Sequence, residues 1–207
     1  MGQAGGIGGV SFDPDSLRTE RITEDAEYEG IRVRFLGSLG TARINMQIDI
    51  GFGDIIHPRP EMAEMPTLLD SPAPRLLCYS RESAIAEKFE AMVSLGSLNS
   101  RMKDFYDIWL LSRQFDFNGK DLAEAVRLTF KQRGTVLPEQ IEAFRRDFAE
   151  VKQTQWAAFR KRLQQEHVPV SFQEVTRALE TFLGPIATSI SEESKIPGIW
   201  TAQGPCS

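Results

Sequence analysis

The stretch Ser80–Gly96, SRESAIAEKFEAMVSLG, decides what fold the rest of the chain can adopt. Its apolar residues Ile85, Phe89 and Met92 recur at spacings of four and three, which places them on one face of a helix. The serine at its start is typical of an N-cap, and the glycine at its end is typical of a helix stop. The stretch therefore predicts a helix with one buried face.

Four further helices are predicted after this one, from the same apolar period and from capping signals. Their expected ranges are 101–115, 121–134, 138–165 and 171–183. Pro138 is expected to open the third of them, and Ser171 with Glu174 fits a capping box at the start of the last. Residues 80–190 are therefore interpreted as a helical domain, and residues 191–207 as a disordered tail.

Before the first helix the pattern changes to strict alternation, which is typical of strands. Residues 30–39, GIRVRFLGSL, and residues 42–52, ARINMQIDIGF, predict two strands joined by a glycine-rich hairpin turn. The prolines of residues 57–75 predict a surface loop, and residues 76–79 a short strand. The predicted fold class is α+β: a partial sheet of short antiparallel strands over residues 1–79, followed by the helical bundle.

Composition excludes several classes of protein. The chain has 207 residues, a formal net charge of −5 and two cysteines. The negative charge argues against bulk nucleic-acid binding but leaves a local basic groove open. The cysteine count excludes a disulfide framework, and no signal peptide or membrane-spanning run is present. We therefore expect a cytoplasmic protein.

Asp49 is the first candidate site residue, because it lies in a strand that is otherwise apolar. The alternation places it on the face opposite Ile48 and Ile50. A carboxylate near the end of a strand is a common ligand of Mg²⁺. Asp54 follows two glycines that would let a nucleotide come close. The alternative is that both aspartates are ordinary solvent-facing residues.

Lys88 is the second candidate, because its helical neighbours are small or apolar. Such a lysine leans into a cleft, where a compact ammonium is a good phosphate ligand. The alternative is an ion pair with Glu87 or Glu90.

Asp104 and Asp107 form the third candidate. They are three residues apart and share a helix face, one turn from Arg101. Two carboxylates that approach a core require a cation, and Lys88 could be that cation. The alternative is a set of structural ion pairs with Arg101 or Lys103.

Three motifs together resemble one known family. They are INMQIDIGFGDII (44–56), ESAIAEKFEAMVSLGSLNSRMKDFYDIWLL (82–111) and LTFKQRGTVLP (128–138). They look like the AbiEii/AbiGii-type nucleotidyltransferases, which are toxins of bacterial toxin–antitoxin and phage abortive-infection systems. The resemblance runs from about Phe12 to about Leu183. It implies a polymerase-β-like core, Mg²⁺ as cofactor, a nucleoside triphosphate as donor, RNA such as tRNA as acceptor, and a cognate antitoxin as partner.

The resemblance also implies roles for individual residues. Asp49 matches the third metal-binding carboxylate of the superfamily, and Lys88 matches a lysine that contacts the triphosphate. The implied catalytic residues are Asp49, Lys88, Asp104 and Asp107, and the implied nucleotide-binding residues are Lys88, Arg101, Asp54 and Glu87.

The chain departs from the superfamily pattern in one respect. No Gly-Ser segment is followed by an Asp-x-Asp pair: Gly37–Ser38 precedes a single aspartate, and Pro14 interrupts the pair Asp13 and Asp15. We expect that the N-terminal part of the family fold is absent. Because two-metal transfer needs several convergent carboxylates, we expect little transfer by this chain alone.

Two other interpretations stay open, and with them whether the chain is an enzyme. The chain could be a non-catalytic module that binds RNA or an antitoxin, or its exposed sheet edge could pair with a second copy. For RNA binding, basic residues accompany aromatic ones on the long predicted helix, although a solvated helix face would look the same. The basic residues are Arg145, Arg146, Arg160, Lys161 and Arg162, and the aromatic ones are Phe144, Trp156 and Phe159.

Overall fold

The structure, a computed structural model, describes residues 9–22, 30–68, 70 and 72–202. Short antiparallel strands are followed by helices, so the predicted α+β class is confirmed. The chain divides into two compact units, Met1–Asp54 and Ile55–Ser207. We refer to them as the sheet unit and the helical unit.

The sheet unit contains three antiparallel strands in the order β1-β2-β3. They are β1 (Val10–Ile22), β2 (Gly30–Leu39) and β3 (Ala42–Gly51). The predicted hairpin is confirmed, and its turn uses Gly40 at φ 59°, a conformation that favours glycine. β1 was not predicted from the sequence, because Pro14 and a register shift between Asp13 and Arg18 interrupt its alternation.

The register of the hairpin separates two chemically different faces. On one face Ile31 lies opposite Ile50, whereas on the other face Arg32 lies opposite Asp49. Asp49 therefore points away from the apolar face, as the alternation predicts. Ile48, on the apolar face, is 52% exposed.

The helical unit begins with a second, two-stranded sheet. β4 (Glu61–Glu64) pairs antiparallel with β5 (Arg75–Cys78). The expectation of a loop over residues 57–75 is therefore wrong at β4, whose four residues fit between Pro60 and Pro66. The short strand expected at residues 76–79 is confirmed one residue earlier.

The described part of the helical unit also contains five α-helices and one further strand pair. The helices are α1 (Arg81–Leu95), α2 (Met102–Gln114), α3 (Gly119–Arg133), α4 (Arg146–Leu163) and α5 (Phe172–Ser191), and the strands are β6 (Phe117–Asn118) and β7 (Ile199–Trp200). The predicted caps of α1 are confirmed: Ser80 Oγ accepts a hydrogen bond from the Ser83 N–H, and Gly96 ends the helix at φ 47°.

Two helix boundaries differ from the prediction by more than two residues. α4 begins at Arg146 rather than at Pro138, because Glu142–Phe144 forms a 3₁₀ turn that buries Ala143. α5 continues beyond Leu183 to its end at Ser191 and contains Pro185. The predicted capping box of α5 does not form.

In place of that capping box, a side chain of α4 accepts a hydrogen bond from a backbone N–H in the first turn of α5. The Ser171 side chain makes no capping hydrogen bond, and the Phe172 N–H donates to Gln153 Oε1 at 2.8 Å.

Aromatic side chains connect the helices in the core of the helical unit. Phe89, Phe105, Trp156 and Phe172 are all fully buried. Phe172 of α5 packs against Phe105 of α2 and Trp156 of α4, with ring centroids 5.0 and 5.2 Å apart. Burying such side chains stabilises the fold by about 1.5–3 kcal/mol each, which holds α2, α4 and α5 in one fixed arrangement.

Both ends of the helical unit are held near the start of α3. His57 Nε2 lies 3.8 Å from Asp121 Oδ1, and the His57 carbonyl accepts hydrogen bonds from the hydroxyls of Ser80 and Ser83. At the other end, the Gly119 N–H donates to the Gly198 carbonyl at 2.7 Å. A Cβ on residue 119 would lie 2.1 Å from the Pro197 oxygen, so this approach requires glycine.

The sequence predicts a disordered tail over residues 191–207, but the structure contains strand β7 within this range. β7 pairs with β6, and its Trp200 is 6% exposed. The Trp200 indole N–H donates to the Ser112 carbonyl at 2.7 Å, and its ring packs against Phe182. Residues 203–207 lie outside the described residues.

Candidate functional site

Lys88 of α1 reaches across to two carboxylates of α2. Its Nζ lies 3.3 Å from Asp104 Oδ1 and 3.0 Å from Asp107 Oδ2. The side chains of the two aspartates are 7% and 19% exposed, so the ion pairs are largely shielded from water. The expectation that Lys88 is the cation between these two acids is confirmed.

Two more cations flank the same carboxylates. Arg101 Nε lies 2.7 Å from Asp104 Oδ2, and Lys103 Nζ lies 2.6 Å from Asp107 Oδ2. We call these five residues the α1–α2 charge cluster. The structural ion pairs that the sequence left as an alternative are therefore present as well, and with three cations for two carboxylates the cluster has a net charge of +1.

The rim of the cluster is more exposed than its centre. The side chains of Arg101 and Lys103 are 49% and 72% exposed, whereas that of Lys88 is 23% exposed. The buried Oδ2 of Asp104 accepts no hydrogen bond from the described residues, although Arg101 is close enough for an ion pair.

Lys88 keeps its positive charge in this environment. Burial by itself lowers the pKa of the ammonium, but the hydrogen bond to Asp107 and the charges of Asp104 and Asp107 outweigh burial. The pKa of Lys88 is therefore raised above its usual value. At neutral pH the cluster presents a charged ammonium.

The two glutamates beside Lys88 make other contacts. Glu90 is 1% exposed, and its carboxylate binds Arg133 at 2.6 Å and the Thr135 hydroxyl. The Glu87 carbonyl accepts a hydrogen bond from Arg133 Nη1 at 3.3 Å. The Glu90–Arg133 pair, which joins α1 to the end of α3, was not predicted from the sequence.

Asp49 is held by an arginine on the neighbouring strand. Arg32 Nε and Nη2 lie 2.8 and 2.9 Å from its two carboxylate oxygens, and Gln47 Nε2 donates to Oδ2 at 3.2 Å. The hydrogen bond from Arg32 is the main cause of a lowered pKa of Asp49. Asp49 is therefore ionised, but its charge is already balanced by a guanidinium.

These contacts do not fit a divalent metal ion at Asp49. Both oxygens face a cation, and no group of three or more His, Cys, Asp or Glu side chains converges anywhere in the described ranges. Two-metal sites need several carboxylates directed at ions that are about 3.5–4 Å apart. The described residues of this chain do not assemble that donor set.

Asp54 ends the sheet unit. Its partial burial raises the pKa of the carboxyl group above the usual value. A Cβ on Gly51 would lie 3.3 Å from Asp54 Oδ2, so the glycine permits the close approach of this side chain to the end of β3. Asp49 and Asp54 belong to the sheet unit, and the α1–α2 charge cluster belongs to the helical unit.

The basic residues of the long helix fall into two groups. Arg145 and Arg146, where α4 begins, form ion pairs with Asp147 and Glu150. The second group, Arg160–Arg162, lies about 20 Å further along the helix at a rise of about 1.5 Å per residue. The expected single strip is therefore divided, and its aromatic neighbour Trp156 is fully buried in the core.

The sequence was compared with known protein families, curated proteins and solved structures. A family model described as "Nucleotidyl transferase AbiEii toxin, Type IV TA system" matches residues 3–183. No curated protein and no solved structure matches significantly. Among the described residues, no helix combines the length and apolar character needed to cross a lipid bilayer.

Proposed function

Because the chain belongs to the AbiEii nucleotidyl transferase toxin family of type IV toxin–antitoxin systems, we propose that its α1–α2 charge cluster binds a nucleoside triphosphate. In this proposal the triphosphate donates a nucleotide to RNA, with tRNA as the acceptor class. Mg²⁺ is the cofactor that this class of reaction requires, and the described residues alone do not assemble its ligands. A cognate antitoxin would control the reaction in the cytoplasm, where nucleotides and RNA are found. Pairing of the exposed sheet edge with a second copy of the chain also remains a prediction.

The observation that supports this proposal is the position of the Lys88 ammonium. It is charged, partly shielded from water, and fixed between two helices by Asp104 and Asp107. An ammonium held in this way is a directed point charge for a phosphate oxygen. The aspartates orient Lys88, while Arg101 and Lys103 at the rim can turn from the aspartates toward the phosphates.

We expect Lys88→Met to weaken triphosphate binding about 10- to 100-fold, since a charge-assisted hydrogen bond contributes about 1.5–3 kcal/mol. Isothermal titration calorimetry with ATP, CTP, GTP and UTP in turn measures this effect. Lys120→Met, at an exposed lysine of α3, is the matched control and should bind like the native chain.

Lys88→Met removes the cation that the two shielded carboxylates share and could therefore cause a folding defect. Lys88→Arg keeps the charge and controls for that defect. We expect it to bind within about threefold of the native chain if charge is what matters. Native-like binding by folded Lys88→Met, or no binding of any triphosphate by the native chain, would contradict the proposal.

A second candidate function is binding without catalysis, and the contact between Asp49 and Arg32 favours it. Transfer in this class depends on a divalent metal that activates the attacking hydroxyl. Since the described residues do not assemble its ligands, we propose that this chain binds its ligands but transfers nucleotides slowly when purified alone.

A transfer assay tests this second proposal. Purified chain is incubated with labelled nucleoside triphosphates, Mg²⁺ and total tRNA, and label in the RNA is counted. We expect weak labelling that is unchanged in Asp49→Asn, because this carboxylate already binds Arg32. Strong labelling that Asp49→Asn abolishes would show that Asp49 serves catalysis.

A further inference from the structure

A recess of about 470 Å³ lies beside the α1–α2 charge cluster, between the start of α2 and the end of α4. Residues Ser100–Lys103 form one wall, and Phe159, Arg162 and Leu163 form the other. Both walls belong to the helical unit. The volume falls within the range of about 300–1,000 Å³ that is typical of small-ligand pockets.

The lining of the recess is cationic. Arg101, Lys103 and Arg162 contribute three positive charges, and none of the described residues that line the recess carries a carboxylate. Arg101 and Lys103 are ion-paired with the aspartates of the cluster. Arg162 is exposed and forms no ion pair with any residue that the structure describes. In a chain with a net charge of −5, such a concentration of cations predicts an anionic ligand.

The other wall supplies a rigid aromatic surface. The Phe159 ring packs against Tyr106 and Trp156, with centroid distances of 5.7 and 5.5 Å, and remains partly exposed. Because Trp156 is fully buried, the position of Phe159 is set by the core. Cations beside a fixed aromatic ring match the phosphate and the base of one nucleotide in a single strand.

We propose that this recess binds a nucleotide of the single-stranded end of an RNA acceptor. The inference rests on the proposed function, because Arg101 and Lys103 belong both to the recess and to the proposed triphosphate site. An RNA end bound there would lie directly beside the triphosphate. An acidic protein would also be attracted to the cations, but the partly exposed aromatic ring favours RNA.

The test is fluorescence anisotropy with a labelled single-stranded RNA of about 12 nucleotides, without triphosphate. Arg162→Ala should weaken RNA binding about 5- to 10-fold and reduce the dependence of log K on log salt by about one unit. Phe159→Leu should weaken binding with little change in that salt dependence. Arg146→Ala, an exposed arginine near the start of the same helix, is the matched control and should leave binding unchanged.

Triphosphate calorimetry on the same variants separates this inference from the proposed function. Arg162→Ala should bind triphosphate like the native chain, whereas Lys88→Met should not. Native-like RNA binding by Arg162→Ala overturns the inference even if triphosphate binding depends on Lys88. Poly-glutamate is the control for an acidic protein partner. The inference is also overturned, in favour of such a partner, if poly-glutamate binds the native chain as tightly as RNA does and Arg162→Ala abolishes that binding.

Discussion

Glu90→Ala is expected to lower the free energy of unfolding of the chain by about 3–5 kcal/mol. The Glu90 carboxylate is 1% exposed and binds Arg133, whose side chain is only 10% exposed. Its removal takes this carboxylate away from a largely buried guanidinium and deprives the Thr135 hydroxyl of its partner. Urea unfolding followed by circular dichroism measures the change.

Glu150→Ala is the control for this prediction. Glu150 also pairs with an arginine, Arg146, but the two side chains are 60% and 76% exposed. Exposed pairs of this kind contribute about 0–1 kcal/mol, so the control should unfold almost like the native chain. Replacing both Glu90 and Arg133 with apolar residues of similar size should recover much of the lost stability. Equal losses in Glu90→Ala and Glu150→Ala would mean that the buried pair does not hold α1 to α3.

Trp200→Ala is expected to cost a similar amount, about 3–5 kcal/mol, because it removes a large buried side chain and leaves a cavity. The Trp200 ring lies 4.8 Å from that of Phe182, between centroids, and its indole N–H satisfies the Ser112 carbonyl. The same unfolding experiment measures the loss. Ile199→Ala is the matched control, since Ile199 is the other residue of β7 and is 53% exposed.

The outcome also shows whether the end of the chain is packed, as in the structure, or disordered, as expected from the sequence. If Trp200→Ala and Ile199→Ala behave alike, the end of the chain is not packed in solution, as the sequence led us to expect. A selective loss in Trp200→Ala shows that β7 is part of the core of the helical unit.

Local signals in the sequence predicted α1 accurately. Its apolar period and its capping residues, Ser80 and Gly96, act within one element, so no knowledge of the tertiary fold is needed. The start of α4 was missed because a proline is typical of a first helical position, whereas packing of Ala143 favours a turn there. β1 was missed because a bulge breaks the alternation on which the strand prediction relies.

The same distinction applies to the candidate site. The Lys88–Asp104–Asp107 contacts were predictable, because two acids on one buried helix face require a cation nearby. The Arg32–Asp49 pair could have been found by counting outward from the two-residue turn of the hairpin, which fixes the register. The Glu90–Arg133 pair was not predictable, because it depends on how two helices far apart in sequence pack together.

The position of the two ends of the helical unit has a practical consequence. His57 and Gly198 contact residues of the same first turn of α3, so the chain enters and leaves this unit at one place. A unit whose termini are neighbours tolerates circular permutation and insertion into a host loop. A short flexible linker could join residues 57 and 202, and new termini could be placed at an exposed turn. In this permuted form the recess could be studied without the sheet unit.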